Sequence, residues 1–189
     1  MTKAAGFYNL LLEADEPAIV VEPLNGYRTK EARPNNIGEF KIPLGVPEIV
    51  KEGTDLTIVS YGSTFNLCEV AAKQLAELGI NVELIDVQTL LPFDIHHVIA
   101  ESLEKTNRLL IVDEDVSSGA TGFMLDKILV EQKGYYHLDS APVTLSAKDH
   151  RPAYSTDGDY FSKPSIDDIV ETAYSILHEA DPKAYPVLY

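Results

Sequence analysis

The chain has 189 residues, 45% of them hydrophobic and 24% charged, with 11 Gly and 11 Pro, which fits a globular protein and excludes a low-complexity one. Thirty acidic residues against 15 basic ones give a net charge of −15. The excess is spread along the chain, which argues against non-specific nucleic-acid binding and for a solvated acidic surface or one that attracts a basic partner. A lone Cys68 excludes a disulfide framework and a cysteine zinc site.

Thr2–Ala14 is spaced as an amphipathic helix, and Pro17–Glu22 (PAIVVE) reads as a buried-type strand. A polar stretch from Pro23 to Pro43 follows, longer than connections inside a compact domain usually are. From there strands and helices alternate. Leu56–Tyr61 predicts a buried strand and Thr64–Leu78 a helix, with Thr64 as N-cap and Gly79 just past its end. Asn81–Val87 is a second strand, and Asp94–Lys105 a helix capped by Asp94. Arg108–Val112 is a third strand, and Gly119–Lys133 a helix closed by Gly134. Pro142–Leu145 is a fourth strand, and Ser165–Ala180 a last helix with Ser165 as N-cap and two aspartates in its first turn. Near-continuous apolar strands separated by helices imply parallel strands covered on both faces. The expected fold is a three-layer α/β/α sandwich over roughly residues 45–180. A lone helix and strand cannot form a core, so residues 1–22 are expected to belong to a different sheet, with 23–43 as linker and 181–189 as tail.

No apolar run approaches the roughly 20 residues needed to span a membrane, and the N-terminus lacks the marks of a signal peptide; the expected location is the cytoplasm. Cys68, in an apolar helical run, is expected to be a small buried hydrophobe. Gly62 stands between a strand and a helix, where an anion can bind, yet neither G-x-G-x-x-G nor G-x-x-x-x-G-K-[ST] occurs. Asp113-Glu114-Asp115, at the end of a strand, could bind a metal or move protons, but no second carboxylate cluster matches it; capping or contact with another domain is the favoured reading. His96 and His97, expected in the first turn of a helix, sit about 100° apart and cannot share a metal. His150 lies in a polar loop, but no G-x-S-x-G elbow is present. Tyr135, Tyr136, Tyr154, Tyr160, Tyr185 and Tyr189 crowd the last third, as suits an interface or a peripheral core. No complete catalytic, cofactor or metal set emerges.

The order of motifs adds more. Ile42-Pro43-Leu44-Gly45, then Lys51–Gly62 (KEGTDLTIVSYG), Ile85–Asp94 (IDVQTLLPFD) and Ser102–Arg108 (SLEKTNR) resemble the C-terminal domain of the transketolase-like beta subunit of 2-oxoacid dehydrogenase complexes. Val21-Glu22-Pro23 with Tyr27-Arg28 resembles that subunit's crossing from its pyrimidine-binding domain. The resemblance covers about residues 5–180. It implies a mostly parallel five-stranded sheet with one antiparallel strand near Pro47–Val50. It implies thiamine diphosphate and Mg²⁺ in the parent enzyme and none in this chain: Asn35-Asn36 has no Gly-Asp-Gly upstream, and Asp157-Gly158-Asp159 has the wrong order. The isolated chain is therefore expected to be inactive. Implied partners are an alpha subunit or region, a second copy across a two-fold axis, and the basic subunit-binding domain of an acyltransferase component, with Asp139 and Asp149 as docking candidates. The alternatives are the equivalent domain of a transketolase, a deoxyxylulose-phosphate synthase or a 2-oxoacid:ferredoxin oxidoreductase, or a stand-alone interaction domain.

Overall fold

A computed structural model describes residues 2–155 and 157–187. Five strands, β1 (Glu48–Lys51), β2 (Leu56–Ser60), β3 (Val82–Asp86), β4 (Leu109–Val112) and β5 (Val143–Leu145), form one sheet in the order β1-β3-β2-β4-β5. β1 runs antiparallel to β3, and the other pairings are parallel. β2, β3 and β4 are buried along their whole lengths, which is why they read as near-continuous apolar runs, with Glu83 and Asp86 the charged exceptions in β3. Among the described residues six α-helices accompany the sheet: α1 (Thr2–Glu13), α2 (Gly62–Glu77), α3 (Val98–Thr106), α4 (Ala120–Asp126), α5 (Gly158–Ser162) and α6 (Ile166–Ala180).

Alternation along the strands splits the core in two. Leu56, Ile58, Leu84, Leu110 and Val112 point to one face, where they pack on Cys68, Ala72 and Leu75 of α2 and Ile169, Ala173 and Leu177 of α6. Val59, Ile85, Leu109 and Ile111 point to the other, against Ile99 and Leu103 of α3, Met124 of α4 and Ile128 just beyond it. This is the expected three-layer sandwich. Cys68 is fully buried there, and desolvation pushes its thiol up to about 12.

Several boundaries differ from expectation. α2 starts at Gly62, two residues before Thr64, whose hydroxyl is spent donating to the Tyr61 carbonyl at 2.9 Å. Its other end is as expected: Gly79 has φ +80° and donates to Ala76 while Ile80 donates to Leu75, a Schellman closure. Asp94 does cap α3, accepting from the Val98 and Ile99 amides at 2.8 and 2.9 Å, but left-handed residues at Asp94 and His97 delay the helix to Val98. After α4 the chain continues as a π-helical turn over Lys127–Glu131, and the left-handed residue is Lys133 (φ 62°), one before the expected Gly134. Gly134 is needed for another reason: a Cβ there would sit 2.8 Å from the Ile128 carbonyl oxygen. Ser165 caps α6 in a reciprocal capping box with Asp168.

The strand expected at Pro17–Glu22 does not form. The described sheet holds no partner for it, and every residue from Leu12 to Leu24 is exposed. α1 instead lies on the segment after it. Asn9 donates to the Ile37 and Phe40 carbonyls at 2.7 and 2.8 Å, and Gly6 lets Ile42 approach so closely that a Cβ would stand 2.7 Å from it. Lys3 ties the same helix to the sheet, reaching Asp86 at 2.7 Å and Glu48 at 2.8 Å.

Candidate functional site

In a parallel sheet covered by helices, ligands and partners meet the chain beyond the carboxyl ends of the strands. Here that edge is formed by Tyr61 after β2, Val87–Leu91 after β3 and Asp113-Glu114-Asp115 after β4. The Tyr61 hydroxyl donates to Asp113 Oδ2 at 2.8 Å across the two strand ends. Burial, and then this carboxylate, raises the Tyr61 hydroxyl well above its ordinary value. Asp113 is only 2% exposed; its other oxygen accepts the Glu114 amide at 2.7 Å, and burial holds its carboxyl above the usual aspartate range. Glu114 goes the other way. Burial would raise it, but Ser63, donating at 2.5 Å, and Lys163, at 2.9 Å, hold it below the usual glutamate range. Asp115 accepts the Val116 amide at 2.8 Å and closes the turn that leads to α4.

All three carboxylates of the cluster are thus engaged within the domain, and they knit the ends of β2 and β4 to Lys163 ahead of α6. Among the described residues no group of three or more His, Cys, Asp or Glu is placed to hold a metal ion. The thiamine diphosphate and Mg²⁺ that the resemblance implies for the parent enzyme have no matching donor set in this cluster: Asp113 and Glu114 are spent on Tyr61, Ser63 and Lys163, which leaves Asp115 as its exposed carboxylate. A shallow apolar groove lined by Leu90, Leu91, Gly119, Ala120 and Phe123 lies beside the cluster.

The histidines do not converge. His96 and His97 lie exposed in the loop before α3 rather than in its first turn, because the helix starts at Val98. His137 Nε2 is 3.7 Å from Glu104, His150 Nδ1 contacts the Arg151 carbonyl, and His178 Nδ1 the Tyr185 carbonyl. The docking candidates are also apart. Asp139 accepts from Arg108 Nη2 at 2.7 Å and lies at the amino end of β5; Asp149 is exposed beyond its carboxyl end. Tyr135, Tyr136, Tyr154 and Tyr160 are exposed, Tyr185 packs on the α2–α6 core, and Tyr189 lies outside the described residues. Sequence reasoning missed Tyr61, Ser63 and Lys163. Tyr61 and Ser63 carried a signal, since both flank Gly62 at a strand end; Lys163 carried none.

This architecture has kin. The sequence profile of the family "Transketolase, C-terminal domain" matches residues 45–164. The chain belongs to that family. This transketolase C-terminal domain is 34% identical over 147 residues to the pyruvate dehydrogenase E1 component subunit beta of Acholeplasma laidlawii, covering 77% of this chain and 44% of the relative. It is 34% identical over 178 residues to the acetoin:2,6-dichlorophenolindophenol oxidoreductase subunit beta of Bacillus subtilis (strain 168), covering 93% and 50%. It is 30% identical over 181 residues to the mitochondrial 2-oxoisovalerate dehydrogenase subunit beta of Chaetomium thermophilum, covering 95% and 37%. The chain thus spans about half the length of the curated relatives it matches, or less. A solved split gene transketolase, an inactive beta4 tetramer, superposes with a TM-score of 0.63 at 24% identity over 76% of this chain and 46% of that one, which supports the fold. The resemblance read from the order of the motifs holds at the level of the family.

Proposed function

We propose that this chain is the C-terminal assembly and partner-docking domain of the decarboxylase component of a 2-oxoacid dehydrogenase, located in the cytoplasm. The parent enzyme would decarboxylate pyruvate or a branched-chain 2-oxoacid oxidatively and pass the acyl group to lipoyl. The observation that carries this reading is that relatives matched over most of this chain's length are beta subunits of pyruvate and 2-oxoisovalerate dehydrogenases. The geometry agrees in what the domain can do. Its carboxyl-edge carboxylates hold one another's elements in place and are not poised for proton transfer. Catalysis and the thiamine diphosphate with its Mg²⁺ would then belong to other parts of the parent.

What this chain offers is shape and charge. A net charge of −15 favours encounter with a basic subunit-binding domain of an acyltransferase component. Asp149, exposed and without a partner among the described residues, is the better docking candidate; Asp139 is already paired with Arg108. An alpha subunit and a second copy across a two-fold axis complete the proposed assembly.

Two measurements test the reading together. Calorimetric titration with a subunit-binding domain is expected to show binding that weakens with salt and falls in Asp149→Lys. A decarboxylation assay on the chain alone, with pyruvate, thiamine diphosphate and Mg²⁺, is expected to show no turnover. Absence of binding at low salt, or turnover by the isolated chain, would overturn it.

A further inference from the structure

The cations of this chain differ in how far a protease could reach the bond that follows them. Most sit in helices or strands. Arg33, Arg151 and Lys163, in loops, are each followed by proline, whose nitrogen carries no proton and whose φ is fixed. The chain around three other loop cations is fastened. After Lys41 the Ile42 amide donates to the Gly6 carbonyl, the Lys148 amide donates to Ser162, and the Lys183 amide to Asp181. Arg28 and Lys30 are different. Both are exposed, and from Thr29 to Pro34 the chain forms neither helix nor strand. Lys30, Ala32 and Arg33 make no backbone hydrogen bond to another described residue. Exposed, unfastened chain of this kind is where proteolytic nicks concentrate.

The helix tethered by this stretch is lightly seated. Among the described residues of α1 only Gly6 is buried. The hold is otherwise polar: two hydrogen bonds from Asn9, and the ion pairs of Lys3 with Asp86 and Glu48 and of Glu13 with Lys41. Ion pairs this open to water contribute little. Covalent linkage makes up the difference, because a linker that spans its two sites presents them to each other at up to about millimolar effective concentration. We propose that Arg28–Lys30 is a cleavage site for an endoprotease with a carboxylate in its specificity pocket, and that the cut releases α1 from the domain. The step is hydrolysis. Water adds across the peptide bond after Arg28 or Lys30, leaving a new carboxylate on that residue and a new ammonium on the next. Release opens the end of β3. Lys3, whose ammonium also stands 5.7 Å from the Phe65 ring centre, leaves with α1, so Phe65 and Asp86, each 7% exposed, and Ile42, 9% exposed, meet water. The cut is thus a one-way switch from a covered carboxyl edge to an open one.

The test exposes the full chain, at micromolar concentration, to a small amount of trypsin and follows masses and gel filtration together. The first products are expected to be an N-terminal piece ending at Arg28 or Lys30 and a body beginning at Thr29 or Glu31, the two eluting apart. Arg28→Gln with Lys30→Gln should abolish this cut. Adding Pro34→Ala to that pair should bring a cut back, now after Arg33. Once the chain is cut, the Ile42 amide, which donates to the Gly6 carbonyl at 3.3 Å, should lose its protection from hydrogen exchange. A first cut at any other bond, or a first cut that the Gln pair leaves untouched, would overturn the site. A piece that elutes with the body after the cut would overturn the release.

Discussion

Lys105 offers the sharpest test of how this fold manages buried charge. Glu83 lies on β3 opposite Thr57 of β2, on the α3 side of the sheet, and its side chain is wholly buried. One carboxylate oxygen accepts the Gly53 amide at 3.1 Å and the Lys105 ammonium; the other has no partner among the described residues. Nearby, the Thr57, Ser102 and Thr106 hydroxyls bond one another at 2.6 and 2.7 Å and so have little left to offer it. Lys105→Met would leave the carboxylate with a single hydrogen bond. Breaking a fully buried pair costs about 3–5 kcal/mol. The Lys105 side chain is 39% exposed, so water can replace part of what it gave, and about 2–3 kcal/mol is the expected loss. For a chain of this size that lowers the thermal midpoint by about 4–12 °C. Adding Glu83→Gln should recover most of it, because the charge that needed the lysine is gone while the Gly53 amide keeps an acceptor. Urea unfolding of the single and double variants reads both numbers. A loss under about 0.5 kcal/mol for Lys105→Met, or a double variant no more stable than the single, would refute the argument.

Two further outcomes are expected. Gly53→Ala places a Cβ 2.1 Å from the Glu83 nitrogen and the Val82 carbonyl carbon, backbone that cannot yield, so the variant should fail to give soluble folded protein; Gly38→Ala, with nothing within 4 Å, should stay within about 0.5 kcal/mol of the parent in the same unfolding assay. The pH dependence has two opposed parts. Asp113, whose carboxyl burial holds above the usual range, binds its proton more tightly folded than unfolded, so its contribution falls as pH rises through and just above the ordinary aspartate range. Glu114, held below its usual range, contributes fully above that range and loses it as pH falls through its lowered value. Asp113→Asn should therefore flatten the first fall and leave the second; urea midpoints from about pH 3 to 7 that keep both features would count against this assignment.

The sandwich was legible because its middle strands are buried on both faces and its helices carry period-3.6 stripes. β1 was not legible from pattern. Glu48–Val50 are exposed, so the strand has no apolar signature, and only the family resemblance placed one there. The misplaced helix starts share one cause: sequence names a residue able to cap, while tertiary contacts decide where it is spent. Thr64's hydroxyl answers the Tyr61 carbonyl, and Asp94 caps from four residues upstream. The carboxyl-edge cluster was half visible. Asp113–Asp115 follow a strand in plain view, but that Tyr61 would meet Asp113 depends on β2 and β4 being neighbours, and Lys163 arrives from 49 residues beyond Glu114. The strand expected at Pro17–Glu22 was a sound reading of composition applied to a stretch for which the described sheet offers no neighbour.

The sheet's own borders are blunted. β1 is interrupted by a bulge between Ile49 and Lys51, and β5 is three residues long. Such edges make poor templates for fibril growth. Ala18–Val21 is different: uncharged and mostly β-branched, it has the composition, though not the length, of a cross-β segment. Its neighbours read as gatekeepers. Proline opens it, and Glu16 and Glu22 bracket it with like charge, so that stacking identical copies in register would pile carboxylates on each side. Neutralising those two glutamates, by substitution or by acid, should shorten the lag before thioflavin-positive aggregates form. Solubility of this chain would then rest on two side chains far from its core.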